Sequence, residues 1–140
     1  MSSTMFDDDE VAFMRSQPLV RLATVDPDGQ PDVVPLACEY DGEVFWVGGG
    51  ETVKSTRKFH NVGDGQDKVA LVFDDLPSFD PFVARGIRIY GRAEGPIERV
   101  GITGPGFFLR IVPTQSWSWN MAGEPVGDSW YPARHHRHVG

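Results

Sequence analysis

The clearest pattern along this chain is a series of short segments rich in β-branched and aromatic residues, separated by Gly, Pro and Asp. In residues 83–94, Ile87 and Ile89 alternate with Arg88 and Tyr90, which makes one face apolar and the other polar. Alternation with a period of two residues is typical of a strand with one buried face. The pattern predicts six strands, at residues 19–25, 31–40, 43–48, 68–74, 83–94 and 107–119.

Two turn sequences join the first three predicted strands. The sequence Asp-Pro-Asp-Gly stands at 26–29, and Asp-Gly stands at 41–42. Asp-Gly between alternating apolar runs is one of the strongest short-range signals for a hairpin. The first three strands are therefore predicted to form an antiparallel meander, while 68–74 is apolar on both faces, as expected for a central strand.

Two segments lack this alternation and predict short helices. Residues 7–16 begin with four acidic side chains, which favour the positive N-terminal end of a helix dipole, and Pro18 ends the segment. Residues 51–61 predict a helix or helical turn between the third and fourth strands. Together these elements predict a mainly β fold, a six-stranded antiparallel barrel, closed or half closed, with short helices.

The C-terminal residues 120–140 show no periodicity and are rich in Gly, Pro, Trp and His. This composition predicts an exposed, irregular tail on a single domain that spans residues 1–140. Three histidines lie within 135–138, but the interleaved Arg134 and Arg137 would repel a cation. No metal site is therefore predicted there.

Composition and charge narrow the classes of function. The chain has 140 residues, enough for one core, and a net charge of -7. An acidic protein lacks the basic face by which nucleic-acid binders displace counterions, and it is repelled by anionic membrane surfaces. The single cysteine, Cys38, is predicted to pack in the core and excludes an internal disulfide. Because neither a signal peptide nor a membrane span is evident, we expect a cytoplasmic protein.

One short segment is basic in an otherwise acidic chain. It contains three cations and three hydroxyl side chains, together with His60: Lys54, Arg57, Lys58, Thr52, Ser55 and Thr56. Hydroxyl donors and adjacent positively charged side chains at the start of a helix are the components of a phosphate site. The alternative is a solvated basic helix face, which short sequences often produce.

The order of these features resembles the pyridoxamine 5'-phosphate oxidase-like superfamily, whose fold is the FMN-binding split β-barrel. The resemblance covers about residues 8–119 and rests on the hairpin strands, the Ser-Thr-Arg-Lys segment at 55–58, and the strand Arg-Gly-Ile-Arg-Ile-Tyr-Gly-Arg-Ala-Glu at 85–94. It implies that Thr56, Arg57 and Lys58 hold a cofactor phosphate. It also implies a homodimer with the cofactor at the subunit interface.

Two departures from the oxidase pattern and two further motifs indicate which branch of this superfamily the chain resembles. The stretch at 32–37 lacks the basic pair of the oxidase's FMN motif, and Gly86 stands where a flavin-contacting glutamine is usual. The sequences LATVDPDGQPDVVPL at 22–36 and RIVPTQSWSW at 110–119 are similar to the branch that uses the deazaflavin coenzyme F420. That resemblance implies that Lys54 and Arg85 assist in binding the anionic coenzyme.

The resemblance also implies where the cofactor ring lies and what the protein does. The ring is expected against the second and third strands, at Val33, Val34, Pro35, Leu36, Val47, Gly48 and Gly49. The implied activity is F420-dependent hydride transfer to a small conjugated or quinone-like acceptor. Two alternatives remain open, an FMN-dependent reductase or oxidase and a non-catalytic module that binds FMN, F420 or haem.

The side chains that would act on the acceptor are less well determined. A reduced acceptor needs a proton donor within hydrogen-bond reach, and the candidates are Tyr90, His60 and Tyr40. The sequence does not rank these three. Trp117 and Trp119 are expected to wall the substrate pocket and to contribute to a dimer interface, because aromatic residues are enriched in both.

Overall fold

The computed structural model describes residues 6–138. Residues 1–5 and 139–140 of the predicted domain lie outside the described residues. Two α-helices and one 3₁₀ helix are present in the described part, α1 at Asp8–Ser16, the 3₁₀ helix at Glu51–Ser55 and α2 at Arg57–Gly63. The strands of residues 6–138 are β1 Val20–Val25, β2 Pro31–Leu36, β3 Glu39–Tyr40, β4 Phe45–Gly49, β5 Lys68–Ser78, β6 Val83–Gly101, β7 Gly104–Trp119 and β8 Ala133–Arg137.

These strands form one antiparallel sheet that closes on itself. Along the sheet the order is β2-β1-β5-β6-β7-β4-β3, and β8 pairs with β7. The two ends of this path, β2 and β3, are halves of one segment, the predicted strand at 31–40, interrupted at Ala37 and Cys38. The first half pairs with β1 and the second with β4, so this segment joins the two edges into a split barrel.

The predicted fold class is confirmed, with a different number of strands. Eight strands appear within residues 6–138 instead of six because 31–40 is divided into two and the tail contributes β8. The prediction of a wholly irregular tail is therefore wrong. Residues Ala133–Arg137 pair with residues 115–119 of β7, which brings His135 opposite Trp117.

The hairpin of β6 and β7 is longer than predicted. Pairing continues through residues 97–101 and 104–108, beyond the expected ends at 94 and 107. A register shift between Glu94 and Ile97 accommodates Gly95 and Pro96 inside the strand. This long hairpin packs along β4 and carries the 3₁₀ helix at its side.

The inward-facing positions of the strands form a single apolar core. Leu22, Phe45, Leu71, Ile89 and Leu109 are among its fully buried members. Helix α1 adds Phe13 and Met14, and α2 adds Phe59 and Val62. Burial of these side chains is the main favourable contribution to folding. No helix between residues 6 and 138 has the length and apolar character needed to cross a membrane.

Candidate cofactor and substrate site

The basic segment lies between β4 and β5, where the sequence places it. The Ser55 hydroxyl donates to the Thr52 carbonyl at 2.8 Å, and the Thr56 hydroxyl donates to the Val53 carbonyl at 2.6 Å. Both hydroxyls thus stabilise the turn that leads into α2. The helix is fixed to the barrel by Asn61, which is buried and donates to the Thr24 hydroxyl at 2.9 Å.

The cations of this segment differ in how far they are already paired. Lys54 forms an ion pair with Glu51 at 2.8 Å, and its Nζ lies 4.0 Å from the centre of the Phe107 ring. Among residues 6–138, neither Arg57 nor Lys58 has a carboxylate oxygen within 4 Å. Arg57 and Lys58 are therefore two adjacent charges that remain available to an anion.

Burial affects the charge of Lys58. Its side chain is half buried, and desolvation lowers the pKa of the amine below its ordinary value, although the nearby Asp32 carboxylate acts in the opposite direction. A partly desolvated ammonium gains more from an anionic ligand than one in bulk water, because the local dielectric is lower. Lys58 thus has the environment expected of a phosphate ligand.

Arg85, which the resemblance assigns to coenzyme binding, is engaged by a carboxylate of the protein itself. Its guanidinium donates to both carboxylate oxygens of Asp75, from Nε at 3.0 Å and from Nη2 at 2.5 Å. The same guanidinium lies 4.9 Å from the centre of the Phe13 ring. A cation held by a bidentate pair and an aromatic face serves to join β5, β6 and α1.

The second strand presents only alternate residues to the outside. Val33 and Pro35 face outward, and Val33 is 63% exposed. Val34 and Leu36 lie on the opposite, inner side, where Val34 is directly across from the buried Leu22. Val33 and Pro35 are thus the side chains of this strand that a ring on the outer face would contact.

The three predicted ring contacts of the third strand have different surroundings. Val47 is fully buried, so its side chain belongs to the core. A Cβ at Gly48 would overlap the Phe107 carbonyl and Phe108, so this glycine is required by the packing of β4 on β7. A Cβ at Gly49 meets nothing within 4 Å. Of these three positions, Gly49 has open space beside its backbone.

A groove of about 560 Å³ lies on the outer face of the sheet. Its volume is within the range of small-molecule sites. The walls are mainly apolar, with polar groups along the side formed by β6 and β7: Ala23, Thr24, Val25, Pro31, Lys68, Val69, Ala70, Tyr90, Gly91, Arg92, Thr114 and Gln115. Of these residues, sequence reasoning singled out only Tyr90. Small side chains at outward strand positions, Ala23 and Ala70, were the signal that was missed.

The β1–β2 hairpin connects the groove to the helix that carries the basic pair. Thr24 contributes to the groove lining, and its buried hydroxyl accepts from Asn61 of α2, the helix that carries Lys58. Thr24 is directly across from Asp32, whose carboxylate acts on Lys58. One hairpin thus links the two features, with the groove on its outer side and the Thr24 hydroxyl turned toward α2.

The three proton-donor candidates have different surroundings. Tyr90 lines the groove and is 42% exposed. Tyr40 donates from its hydroxyl to the Gly42 carbonyl at 2.9 Å and packs against Phe6, and burial raises the pKa of its phenol. These contacts give Tyr40 a structural role. His60 is exposed on α2, near the basic pair and outside the groove lining.

The two tryptophans predicted as pocket walls lie at separate places. Trp117 stands beside Tyr90, with ring centres 4.9 Å apart, next to the groove. Trp119 covers Gly86, where a Cβ would overlap its indole ring. It also lines a cavity of about 430 Å³ with Asn120, Tyr131 and other residues of the tail. Trp117 thus adjoins the groove, while Trp119 belongs to the contact with the tail.

Two other groups of reactive residues have structural roles. Cys38 packs against the core as predicted, and burial raises the pKa of its thiol to about 12, so it is not a thiolate nucleophile. Asp7, Glu10 and His136 bring three potential metal ligands together. Arg134 places a guanidinium nitrogen 2.9 Å from Asp7 and 3.6 Å from Glu10, which supplies the positive charge of this cluster.

Comparison with known proteins identifies relatives of the chain. A family model described as pyridoxamine 5'-phosphate oxidase matches residues 6–97. The 5a,11a-dehydrotetracycline/5a,11a-dehydrooxytetracycline reductase of Streptomyces rimosus subsp. rimosus is 36% identical over 124 residues, which cover 85% of this chain and 86% of the reductase.

Two solved structures share the fold. A conserved hypothetical protein from Mycobacterium tuberculosis superposes with a TM-score of 0.66 at 23% identity, covering 92% of this chain and 95% of that one. A protein described as F420 reductase superposes with a TM-score of 0.52 at 22% identity, covering 71% of this chain and 90% of that one.

Proposed function

Because the chain belongs to the pyridoxamine 5'-phosphate oxidase family of oxidoreductases, we propose that it is a reductase that uses the deazaflavin coenzyme F420. Its acceptor is a conjugated or quinone-like compound. The observation that carries the proposal is the pair Arg57 and Lys58, which has no carboxylate oxygen within 4 Å in the described residues, in a protein that also carries an apolar groove of small-molecule size. The related reductase from Streptomyces rimosus supports the same class of reaction.

The residues present fit the anionic part of this coenzyme. Arg57 and Lys58 supply charge-assisted hydrogen bonds to the phosphate, and Thr56 begins the helix that carries them. Val33, Pro35 and Gly49 supply open surface for a planar ring. When bound, a deazaflavin supplies a hydride, while the protein contributes binding, orientation and exclusion of water.

Two features favour F420 over FMN. Asp32 stands in the part of β2 where the oxidase resemblance calls for a basic residue, and its carboxylate lies near Lys58. Gly86 stands where a flavin-contacting glutamine is expected, and the Trp119 indole occupies the space above it. The chain thus lacks two of the contacts that the FMN enzymes of this resemblance use.

The groove supplies the place where the acceptor is reduced. The acceptor takes one hydride from the reduced coenzyme and one proton, and we assign the proton donor to the Tyr90 hydroxyl on the groove wall. Tyr90 is 42% exposed in the single chain, and it takes up a proton from solvent once the reduced acceptor has left the groove. The apolar walls at Val25 and Ala70 favour a flat, apolar acceptor of the size that the groove admits.

We further propose that two copies of the chain form the enzyme, with the groove between them. Val33 and Tyr90 leave apolar surface exposed on this face, and a second copy would cover it and exclude water from the site. Two-fold association is the commonest way in which one surface patch is covered by its own copy.

The test is a titration of the purified protein with F420 and, separately, with FMN, followed by fluorescence. Charge-assisted hydrogen bonds contribute roughly 1.5 to 3 kcal/mol each, so Lys58→Ala and Arg57→Ala are each expected to weaken F420 binding about ten- to a hundredfold. Arg110→Ala is the control, since Arg110 is already paired with Glu94 at 2.8 Å. Tight FMN binding without a response to F420 would refute the proposed coenzyme.

A second measurement tests turnover. Reduced F420 is mixed with the protein and a panel of quinones, enones and polycyclic dehydro compounds, and its reoxidation is followed by absorbance. We expect enzyme-dependent oxidation with at least one acceptor class. Binding of F420 without oxidation by any acceptor would instead support a non-catalytic binding module.

A further inference from the structure

Beside the groove, three neighbouring strands align a cation and two flat rings. Arg88 of β6, Trp117 of β7 and His135 of β8 are direct neighbours in the sheet. The Arg88 guanidinium lies 4.3 Å from the centre of the Trp117 ring, and the His135 ring stacks on Trp117 with centres 5.0 Å apart at 24°. We call Arg88, Tyr90, Trp117 and His135 the outer-face platform.

The platform is ordered by its own contacts. Tyr90 meets Trp117 edge to face, with ring centres 4.9 Å apart and an interplanar angle of 67°. His135 Nε2 lies 3.0 Å from the Gln115 side-chain oxygen, which holds the imidazole in the stack. An array held in this way loses little side-chain freedom when a ligand binds.

The charge of Arg88 has no carboxylate partner within 4 Å among residues 6–138. Arg21 on β1, by contrast, is paired with Asp74 at 2.7 Å on the same face of the sheet. Arg88 is also exposed and contacts the Trp117 and Tyr90 rings. A positive charge beside an aromatic surface is suited to a planar ring that carries a negative charge.

The platform is continuous with the groove through Tyr90, which belongs to both. We propose that the outer-face platform is the acceptor subsite and that it selects planar acceptors bearing an anionic substituent, such as an ionised enol, phenol, carboxylate or sulfonate. The acceptor ring packs against the exposed edge of the Arg88–Trp117–His135 stack, and Arg88 pairs with its charge. This inference rests on the proposed function, because it names the acceptor class of the same reductase.

The test measures binding of two quinones that differ in charge, anthraquinone-2-sulfonate and 2-(hydroxymethyl)anthraquinone, to the protein without coenzyme by calorimetry. We expect the sulfonate to bind at least tenfold more tightly than the neutral quinone. Arg88→Gln should weaken sulfonate binding about tenfold or more and neutral binding less than twofold. Arg88→Lys should restore only part of the preference, since an ammonium pairs with the anion but does not stack as a plane.

Arg21→Gln is the matched control, since it removes an exposed arginine from the same face and should leave both affinities unchanged. Equal losses for both quinones in Arg88→Gln, or no loss for either, would overturn the proposal. A change in oligomeric state with an unchanged preference for the sulfonate would also overturn it, because the platform would then be a contact between copies. The calorimetry contains no coenzyme, so its result does not depend on F420 binding. A failure of the proposed function would appear only in the F420 titration and the turnover assay.

Discussion

At the scale of single residues, Lys58 combines a charge required for binding with partial burial. Desolvation lowers the pKa of its amine from the ordinary 10.5. A phosphate binds the protonated amine, so coenzyme affinity should fall as the pH rises through this lowered pKa. We expect the dissociation constant of F420, measured by fluorescence titration, to rise at a pH below 10.5.

Lys58→Arg provides the control for this pH dependence. A guanidinium remains protonated up to roughly pH 12, so the variant should keep a flat affinity profile over the same range. A wild-type profile as flat as that of Lys58→Arg would show that Lys58 does not titrate against the coenzyme.

Gly48 and Gly49 are adjacent in β4, but an added Cβ tests packing at the first and ligand contact at the second. Gly48→Ala places a Cβ against the Phe107 carbonyl and should destabilise the fold by about 1 to 3 kcal/mol, the usual cost of overpacking. Gly49→Ala meets nothing within 4 Å and should change the free energy of unfolding by less than about 0.5 kcal/mol. Urea denaturation measures both. If Gly49→Ala lowers coenzyme affinity without lowering stability, the open backbone at Gly49 contacts the ligand.

At the scale of elements, β8 pairs with β7 as a strand and is also attached by charge to the start of α1. The guanidinium of Arg134 donates to both Asp9 oxygens at 2.8 and 3.1 Å and to Asp7 at 2.9 Å. The fully buried Glu10 accepts from the Asp7 backbone at 2.8 Å and from the Ser118 hydroxyl. The tail is thus held by a network of charges and not by a single exposed pair.

Removing Arg134 should loosen this attachment. Arg134→Ala is expected to lower the free energy of unfolding by about 1 kcal/mol or more, because several charges share one partner. Arg137→Ala, an exposed arginine on the same strand, is the control and should have little effect. Equal stabilities of the two variants in urea would contradict the role assigned to Arg134.

The same network has a pH dependence of definite sign. The Arg134 guanidinium holds the pKa of Asp9 below its ordinary value of 3.8. A carboxyl with a lowered folded-state pKa contributes stability above pH 3.8, and this contribution is lost as the pH falls through the folded pKa. Arg134→Ala should therefore lose less stability than the wild type on acidification below pH 3.8. If the urea midpoints of wild type and Arg134→Ala fall by the same amount on acidification, the Arg134–Asp9 pair does not contribute to the pH dependence of stability.

Local sequence was sufficient to predict the barrel strands but not β8. Alternation fixes which side of a strand is buried, and the Asp-Gly turns fix the hairpins, so the six predicted strand segments follow from neighbouring residues. The division of 31–40 into β2 and β3 does not follow from them. The sequence Ala-Arg-His-His-Arg at 133–137 has no apolar alternation. Its strand depends on pairing with β7 and on the carboxylates of α1, more than 120 residues away along the chain.

The site was predictable only where its residues are neighbours in sequence. Arg57 and Lys58 stand out as a basic pair in an acidic chain. The groove escaped prediction because its lining comes from five strands that are distant in sequence. The pairing of Arg85 with Asp75 was not predictable either, because it is set by the pairing of β5 with β6 and not by any local pattern.

At the scale of the whole molecule, the distribution of exposed apolar residues bears on assembly. Val33 is 63% exposed on the face that carries the groove, and Val100 is 72% exposed near the tip of the β6–β7 hairpin. Val33 lies next to Pro35 in a flat sheet surface, whereas Val100 lies close to a turn. A flat strand surface suits a two-fold contact better than the end of a projecting hairpin.

The proposed dimer predicts different effects of a charge at these two positions. Light scattering on a size-exclusion column should give about 31 kDa, twice the mass of the 15.5 kDa chain. Val33→Asp places a carboxylate in the proposed contact and should yield a monomer. Its F420 affinity should fall for two reasons, the loss of the assembled form and the loss of a ring contact, so the mass is the measurement that judges assembly. Val100→Asp should remain dimeric with wild-type affinity. A wild-type monomer at micromolar concentration that retains full coenzyme affinity is incompatible with a site shared between two copies.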